Sequence, residues 1–340
     1  MKRVFCVLMA VVLALAVGCT YAPDSDSTFS IHFIDVGQAD AALVECDGEY
    51  MLIDGGNRGD SDRIYTVLKN AGVEELALMV ATHAHEDHIG GLSGAFAYAT
   101  ARRTLCPVTD YDSGVFVDFA HYAAQKGGGI TVPKAGESFA LGSAQVRVLA
   151  VNAGKDTNNR SIVLKVQYRQ TSFLFTGDAE REVEQAMLAS GQDLSATVLK
   201  VGHHGSDTGT TYPFLREVMP AYAVISVGEG NDYGHPTEEV LSRLRDAGVS
   251  VYRTDRQGDI CVTSDGTQVR FVTDNAVPPS GGQAVTPTGE SYVLNTGTMK
   301  FHAPVCSSVD KIKQENRQNY TGSRSNLLAQ GYSPCGNCKP

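Results

Sequence analysis

The sequence predicts an α/β domain followed by a small separate module held together by a metal. Three observations lead there. From residue 29 to about residue 274, apolar runs of strand length alternate with stretches of helical spacing. Residues able to do chemistry fall at the ends of those runs, above all in Thr82-His83-Ala84-His85-Glu86-Asp87-His88-Ile89-Gly90-Gly91. The last fifty residues, after a Pro/Gly-rich stretch, bring one histidine and three cysteines in metal-ligand spacing. With 340 residues and 42% apolar content the chain is globular and has room for two domains.

Residues 1–18 are not part of the fold. Lys2-Arg3 precede an apolar run that ends at Gly18-Cys19, the make-up of a secretory signal. Ala16-Val17-Gly18-Cys19 resembles a bacterial lipobox. That resemblance implies a lipid-modified Cys19, a tether over residues 19–28 and attachment to the outer face of a bacterial cytoplasmic membrane.

Residues 29–36 alternate and read as the opening strand, which runs into Asp35-Val36-Gly37-Gln38-Ala39-Asp40. Strands follow at 41–46 and 50–53. The third ends at Asp54-Gly55-Gly56, where an Asp before two glycines also suits a turn. Residues 61–71 have helical spacing and stop near Gly72. Residues 76–81 read as a buried strand that delivers the histidine cluster, and Gly90-Gly91 lets the backbone turn tightly into a helix over 92–100. A helix is expected within 111–125, with His121 as a packing or surface residue. Strands follow at 145–151, 161–168 and 171–175, the first two separated by Asn158-Asn159-Arg160-Ser161. Thr176-Gly177-Asp178 closes the third and leads to a helix over 180–189, for which Asp178 could equally be the cap. The strand at 196–201 delivers Gly202-His203-His204-Gly205-Ser206. The strand at 223–227 leads to His235-Pro236 and a helix start at Thr237. Strands at 249–253 and 258–262 complete the domain. Residues 275–290 read as a linker, giving a domain at 29–274 and a module at 291–340.

Imidazole nitrogen and carboxylate oxygen are ligands that zinc, iron and manganese accept. His83 and His85 can grip one ion while Asp87 and His88 reach a second. The pattern H-x-H-x-D-H followed by Gly-Gly closely resembles the metallo-β-lactamase superfamily. More narrowly, F-x-D-V-G-Q-x-D, then L-I-D-G-G, then the histidine cluster is similar to the soluble domain of ComEC, the DNA-internalisation protein of natural competence. The resemblance implies an α/β fold, the αββα four-layer sandwich, with one or two divalent metals, zinc or manganese, and a hydrolytic water. It further implies metal ligands at His83, His85, Asp87, His88, Asp178 (bridging) and His203, with Asp54 orienting a metal-bound histidine. His204 would complete the first metal or give a proton. His235 is either a second late ligand or the general acid. Asp87, His204 and His235 are thus the catalytic candidates. The region of Asn158 to Ser161 holds no histidine where many two-metal members have one.

Eight cysteines in an exported chain first suggest disulfides. Cys335-Gly336-Asn337-Cys338 with His302-Ala303-Pro304-Val305-Cys306 instead offers a closed Cys₃His set, which suits one structural zinc. So small a module has little core, and metal binding contributes much of its folding free energy. The C-x-x-C pair by itself also reads as a disulfide or redox pair. Phe301 to Cys306 (F-x-x-P-x-C) and Ala329 to Pro340 (A-x-G-Y-x-P-C-x-x-C-x-P) resemble the zinc domain of the Ada methylphosphotriester repair protein. His302 stands where that family has its methyl-accepting Cys, which argues against methyl transfer. What the resemblance implies is a small α+β zinc scaffold close to a DNA backbone. Cys46, Cys106 and Cys261 lie in or beside strands and are expected to be buried and unreactive.

The net charge of −10 is unevenly spread. Residues 291–340 carry six Lys/Arg against two acids, whereas the rest of the chain has 22 against 36, a balance of −14. The basic tail is the better part to meet a polyanion. The sequence therefore predicts an exported, lipid-anchored, metal-dependent hydrolase, a phosphodiesterase or nuclease acting on DNA. Two rivals stand beside it: hydrolysis of a small ester, lactone or lactam, and a non-catalytic DNA-binding lipoprotein at the cell surface. No protein partner is indicated.

Overall fold

β1 (Phe29–Phe33), β2 (Ala42–Cys46) and β3 (Glu49–Ile53) form an antiparallel meander in which β1 alternates buried and half-buried residues. The β2–β3 turn is Asp47-Gly48, both at positive φ, the two-residue geometry whose twist matches flanking strands. The computed structural model of the chain describes residues 29–281, 291–321, 327, 331–338 and 340. The predicted signal, Cys19, the tether and residues 282–290 of the predicted linker lie outside the described residues.

α1 (Ser61–Ala71) buries Ile64, Val67 and Leu68 on one face and ends where Gly72 turns left-handed. β4 (Glu75–Leu76), β5 (Leu78–Val80), α2 (Glu86–Ile89), α3 (Leu92–Tyr98), β6 (Thr100–Ala101), β7 (Thr104–Leu105), α4 (Gly114–Lys126) and β8 (Ile130–Thr131) complete the first half. The single strand expected at 76–81 is two pieces, because β4 pairs with β6 while β5 lies between β3 and β7. The second half contains β9 (Ser138–Leu141), β10 (Ala144–Ala150), β11 (Val163–Tyr168), β12 (Thr171–Phe175), α5 (Arg181–Ser190), β13 (Val198–Lys200), α6 (Tyr212–Val218), β14 (Tyr222–Ile225), α7 (Glu238–Asp246), β15 (Ser250–Arg253), α8 (Thr254–Gln257), β16 (Ile260–Ser264) and β17 (Val269–Thr273).

The strands form an eight-stranded sheet, ordered β17-β16-β1-β2-β3-β5-β7-β8, and a seven-stranded sheet, ordered β15-β14-β13-β12-β11-β10-β9. One core lies between the sheets, where the ring of Phe29 stacks on Phe173 and Tyr168 at 4.8 and 5.0 Å. Two further cores seat helices on the outer faces: α1, α3 and α4 on the first sheet, and α5, α6 and α7 on the second. These are the four layers, αββα, that the sequence predicts. Among the described residues no helix is long and apolar enough to cross a membrane.

Three sequence expectations are corrected here. Gly90 and Gly91 have ordinary helical φ, −58° and −83°, so the turn itself does not require them. Close approach does: a Cβ on Gly91 would lie 1.9 Å from the Gly55 carbonyl oxygen, and one on Gly90 2.2 Å from the Arg58 nitrogen. The linker predicted from residue 275 is fastened to the domain as far as Gly281. The buried Gln257 amide donates to the carbonyls of Val277 and Pro278, and Ser280 exchanges two backbone hydrogen bonds with Val251. Of the three strand cysteines, Cys46 and Cys106 are buried, but Cys261 on β16 is only half-buried.

The C-terminal module is a four-stranded sheet of β18 (Ser291–Asn295), β19 (Lys300–His302), β20 (Arg317–Thr321) and β21 (Ser333–Pro334), ordered β20-β18-β19-β21. Tyr292, Leu294, Phe301 and Leu327 form a small apolar cluster, and Val293, Val309 and Ile312 pack with Cys306 and Cys335 in another.

Asp259 ties the first sheet to its helix layer. Its carboxylate accepts from His32 Nε2 at 2.7 Å and from the Asp35 N–H at 2.8 Å, and it pairs with Arg63 of α1. Burial would raise its pKa, but His32, the Asp35 N–H and Arg63 outweigh that and hold it at about 2. Because the folded value lies below the unfolded one, the stabilisation is complete above pH 4 and is lost as pH falls through 2. Asp259→Asn should cost about 2 kcal/mol at pH 7, with the difference from wild type shrinking towards pH 2 in denaturant titrations.

Candidate metal centres

The candidate ligands of the large domain lie in the segments that follow β5, β12 and β13, except His235, which lies in the longer loop between β14 and α7. Asp54 follows β3 in left-handed backbone, φ +58°, a conformation that Asp tolerates. Its buried carboxylate accepts the Thr82 N–H at 2.7 Å, the Thr82 hydroxyl at 2.7 Å and His88 Nδ1 at 2.8 Å. These bonds hold the His88 ring, and none of them closes a local turn. With Nδ1 spent on Asp54, His88 turns Nε2 towards the centre, where that atom is buried and has no hydrogen-bond partner. Thr82, which sequence reasoning passed over, is half of this clamp. Its only signal was its place directly before His83.

Asp178 is the hub. It follows β12 through Gly177, where a Cβ would lie 2.9 Å from Thr82 Cβ and 3.0 Å from Ser161 Oγ. Its N–H donates to Ser161 Oγ at 3.1 Å, so the segment that lacks a third histidine instead anchors the Asp178 backbone. Asp178 Oδ1 is 3.3 Å from His88 Nε2 and has no hydrogen-bond partner. Asp178 Oδ2 lies 3.8 Å from a ring nitrogen of each of His83, His203 and His204. The cap alternative fails, since Glu180 occupies the α5 N-cap position. Asp87, His88, Asp178 and His204 each offer an atom, and these four lie within 4.8 Å of one another. Asp87 Oδ2 is 3.2 Å from His204 Nε2, and His83 Nε2 faces His85 Nδ1 at 3.0 Å.

The sequence ranks His203 ahead of His204 as the late ligand; both turn a ring nitrogen to 3.8 Å from Asp178 Oδ2, and His204 is the one that joins the buried four-residue group. Both residues follow β13 in left-handed backbone, φ 49° and 52°. This swings His204 into the buried group and leaves His203 half-exposed at the rim, with Nδ1 3.1 Å from Thr208 Oγ1 and 3.3 Å from Glu180 Oε1. His235 lies farther out, its ring 5.7 Å from that of His203, and it does not join the four-residue group. His121 is exposed on α4, beside Gln125 and the ring of Tyr122.

The charges suit a cation. Burial opposes ionisation of Asp178 and Asp87, but the surrounding imidazoles outweigh it. Asp178 is held well below the usual carboxylate range, and Asp87 lies at about 2. Burial likewise opposes charge on His88 and His204, yet the carboxylates raise His88 well above its ordinary value and His204 to about 10. Burial and the His88 charge push His83 down. Ionised carboxylates, unpaired buried donor atoms and a neutral His83 together fit one or two divalent ions.

Residues 34–229 match the metallo-beta-lactamase superfamily. The chain belongs to that superfamily. Metallo-beta-lactamase superfamily relatives by sequence include ComE operon protein 3 of Bacillus subtilis, 30% identical over 70% of this chain and 33% of that protein. Competence protein ComA of Neisseria gonorrhoeae is 30% identical over 73% of this chain and 34% of that protein. The chain spans about a third of the length of these curated relatives. A solved structure of the metallo-beta-lactamase fold protein YhfI from Bacillus subtilis aligns at TM-score 0.47 and 11% identity, over 69% of this chain and 100% of that one. A metal-dependent hydrolase from Parabacteroides distasonis aligns at 0.44 and 14%, over 67% and 93%.

The module appended to this metallo-β-lactamase domain holds a second group. His302, Cys306, Cys335 and Cys338 each offer one atom, all within 4.8 Å of one another. The three cysteines are free thiols, so the disulfide alternative for Cys335 and Cys338 does not apply. Both ring nitrogens of His302 are buried without a hydrogen-bond partner. Burial would raise the Cys306 thiol, but His302, Cys338 and Ser308 beside it bring it to about 6, in the thiolate range a metal prefers. A tetrahedral ion fits this donor set.

Two outcomes follow. Asp54→Ala frees the His88 ring and should weaken divalent-metal affinity about 10–100-fold in equilibrium dialysis. Cys335→Ser should remove one bound ion per chain and make residues 291–340 susceptible to protease, while the melting of the large domain is unchanged.

Proposed function

We propose that the chain is an exported, lipid-anchored, metal-dependent phosphodiesterase that cleaves DNA. The observation that carries this reading is the cluster of Asp87, His88, Asp178 and His204, with buried donor atoms left unpaired and facing one another. The similarity to competence proteins and the basic module, six Lys/Arg against two acids, favour a polyanionic substrate over a small lactam or ester. Lipid attachment through Cys19 rests on the lipobox-like Ala16-Val17-Gly18-Cys19 alone.

His83, His85, Asp87, His88, Asp178 and His204 would hold the ions. The chemistry supplied there is Lewis acidity, which brings the pKa of water to about 7 and offsets charge on the attacking and leaving oxygens. The protein's own contribution is placement. Asp54 and Thr82 fix His88, Ser161 fixes Asp178, and the half-exposed His203 and His235 stand at the mouth, where a leaving alkoxide needs a proton. The basic module would hold the strand by its phosphates, so binding weakens as salt rises.

The test is digestion of single- and double-stranded DNA by metal-loaded protein, with and without chelator. Cleavage that chelator abolishes, with His235→Ala slowed about 10²-fold or more, is expected. Turnover of a lactam or thioester with DNA left intact would overturn the reading. One observation favours a second reading. Ser161 stands in the segment that holds a histidine in many two-metal members and spends its hydroxyl on Asp178. A DNA-binding surface protein with an incomplete centre predicts fewer than one ion per large domain by metal analysis, with DNA binding retained.

A further inference from the structure

We propose that Asp40 and Lys200 form a buried pair that positions the His204 ring for the metal centre. Asp40 ends the Asp35-to-Asp40 motif, and neither the ligand set nor the proton-transfer reading above gives it a role. Lys200 is the last residue of β13, the strand that delivers His204. Lys200 Nζ donates to Asp40 Oδ2 at 2.8 Å and to the Val201 carbonyl at 3.0 Å. Both side chains are about 5% exposed. Taking two charges out of water is costly, and an apolar pair would stabilise the same contact as well. Stability alone therefore does not account for it.

The second oxygen of Asp40 supplies the reason. Asp40 Oδ1 is buried and has no hydrogen-bond partner, and it lies 3.2 Å from His204 Nδ1. The Ser226 carbonyl oxygen is 3.1 Å from the same nitrogen. A carbonyl oxygen can only accept, so the bond to Ser226 requires Nδ1 to carry the proton, and the Asp40 carboxylate stands beside that N–H. Nε2 then offers its lone pair towards Asp87 and Asp178, 3.2 and 3.8 Å away. Asp40 thus places a carboxylate behind the His204 ring, as Asp54 does more closely for His88, and a carboxylate behind an imidazole raises its strength as a ligand. The backbone keeps Asp40 in place: its N–H donates to the Asp87 carbonyl at 3.1 Å, and its carbonyl accepts from Gly56 at 2.8 Å. A small cavity lined by Asp40, Asp54, Thr82 and Lys200 joins the two supporting carboxylates. Lys200 offsets one negative charge in a region where Asp40, Asp54, Asp87 and Asp178 crowd together. The sequence signal was a lone lysine in an apolar strand.

This inference rests on His204 being a ligand and does not depend on the substrate, so its readouts use metal alone. Two charge-balanced double variants separate positioning from stability. Asp40→Ala/Lys200→Met should melt close to wild type yet bind Zn²⁺ or Mn²⁺ about 10–100-fold more weakly. Asp40→Asn/Lys200→Met keeps an acceptor and should stay within about threefold of wild type. Wild-type affinity in the alanine double variant overturns the proposal and leaves a purely structural pair. If that variant does not fold, nitrogen-15 spectra of the zinc-loaded wild-type protein decide. A protected proton on His204 Nδ1 is expected, and one on Nε2 sinks the idea. Normal metal binding with no DNA cleavage would instead count against the substrate reading alone.

Discussion

The constraint on which the rest depends is the charge balance around Asp178. One buried carboxylate faces ring nitrogens of four histidines, with Asp87 and Asp40 close behind them. Asp178, His83, His88 and His204 are buried, so the group can persist only if its charges compensate one another or if a cation enters. Without a cation, protonated His88 and His204 supply that compensation. An entering ion must displace those protons, which couples its affinity to pH.

The scaffold achieves this with ordinary parts placed unusually close. The loop after β3 and the junction of α2 with α3 touch through glycines whose Cβ atoms would collide with backbone. Gly55 N–H donates to the His88 carbonyl at 2.7 Å, and Gly91 N–H to the Gly56 carbonyl at 3.1 Å, so ligand loop and supporting loop move as one. From the other sheet, Ile162 N–H donates to the Thr82 carbonyl at 2.8 Å, and His203 N–H to Gly177. The side chains are thereby held on crossed backbone hydrogen bonds and not on flexible loops, the condition for preorganised chemistry.

Much of this was legible in the sequence, and the pattern of what was missed is physical. The histidine cluster, Asp178 and the strand ends that carry them are local features, written in a few adjacent residues or in apolar runs. The burial of His204 and the half-exposure of His203 were not legible, because they depend on two left-handed backbone positions that non-glycine residues rarely adopt and no side chain announces. The seven-residue α6 was missed because its apolar Phe214, Leu215 and Val218 are too few to show a period. β17 was missed because none of its residues is fully buried. The docking of residues 275–281 depends on a buried glutamine amide and a backbone bridge from Ser280 to Val251, tertiary contacts that composition cannot reveal.

The register of the first sheet has a consequence for how the chain reaches its native state. β1 lies between β2, its near neighbour in sequence, and β16, from the far end of the domain, with Phe29 opposite both Cys46 and Ser264. That sheet cannot be completed until nearly all of the domain is present, and such non-local pairing folds slowly. Until then one edge of β1 stays open. The first three strands therefore wait, as a meander with one unpaired edge, for β16 to close the sheet.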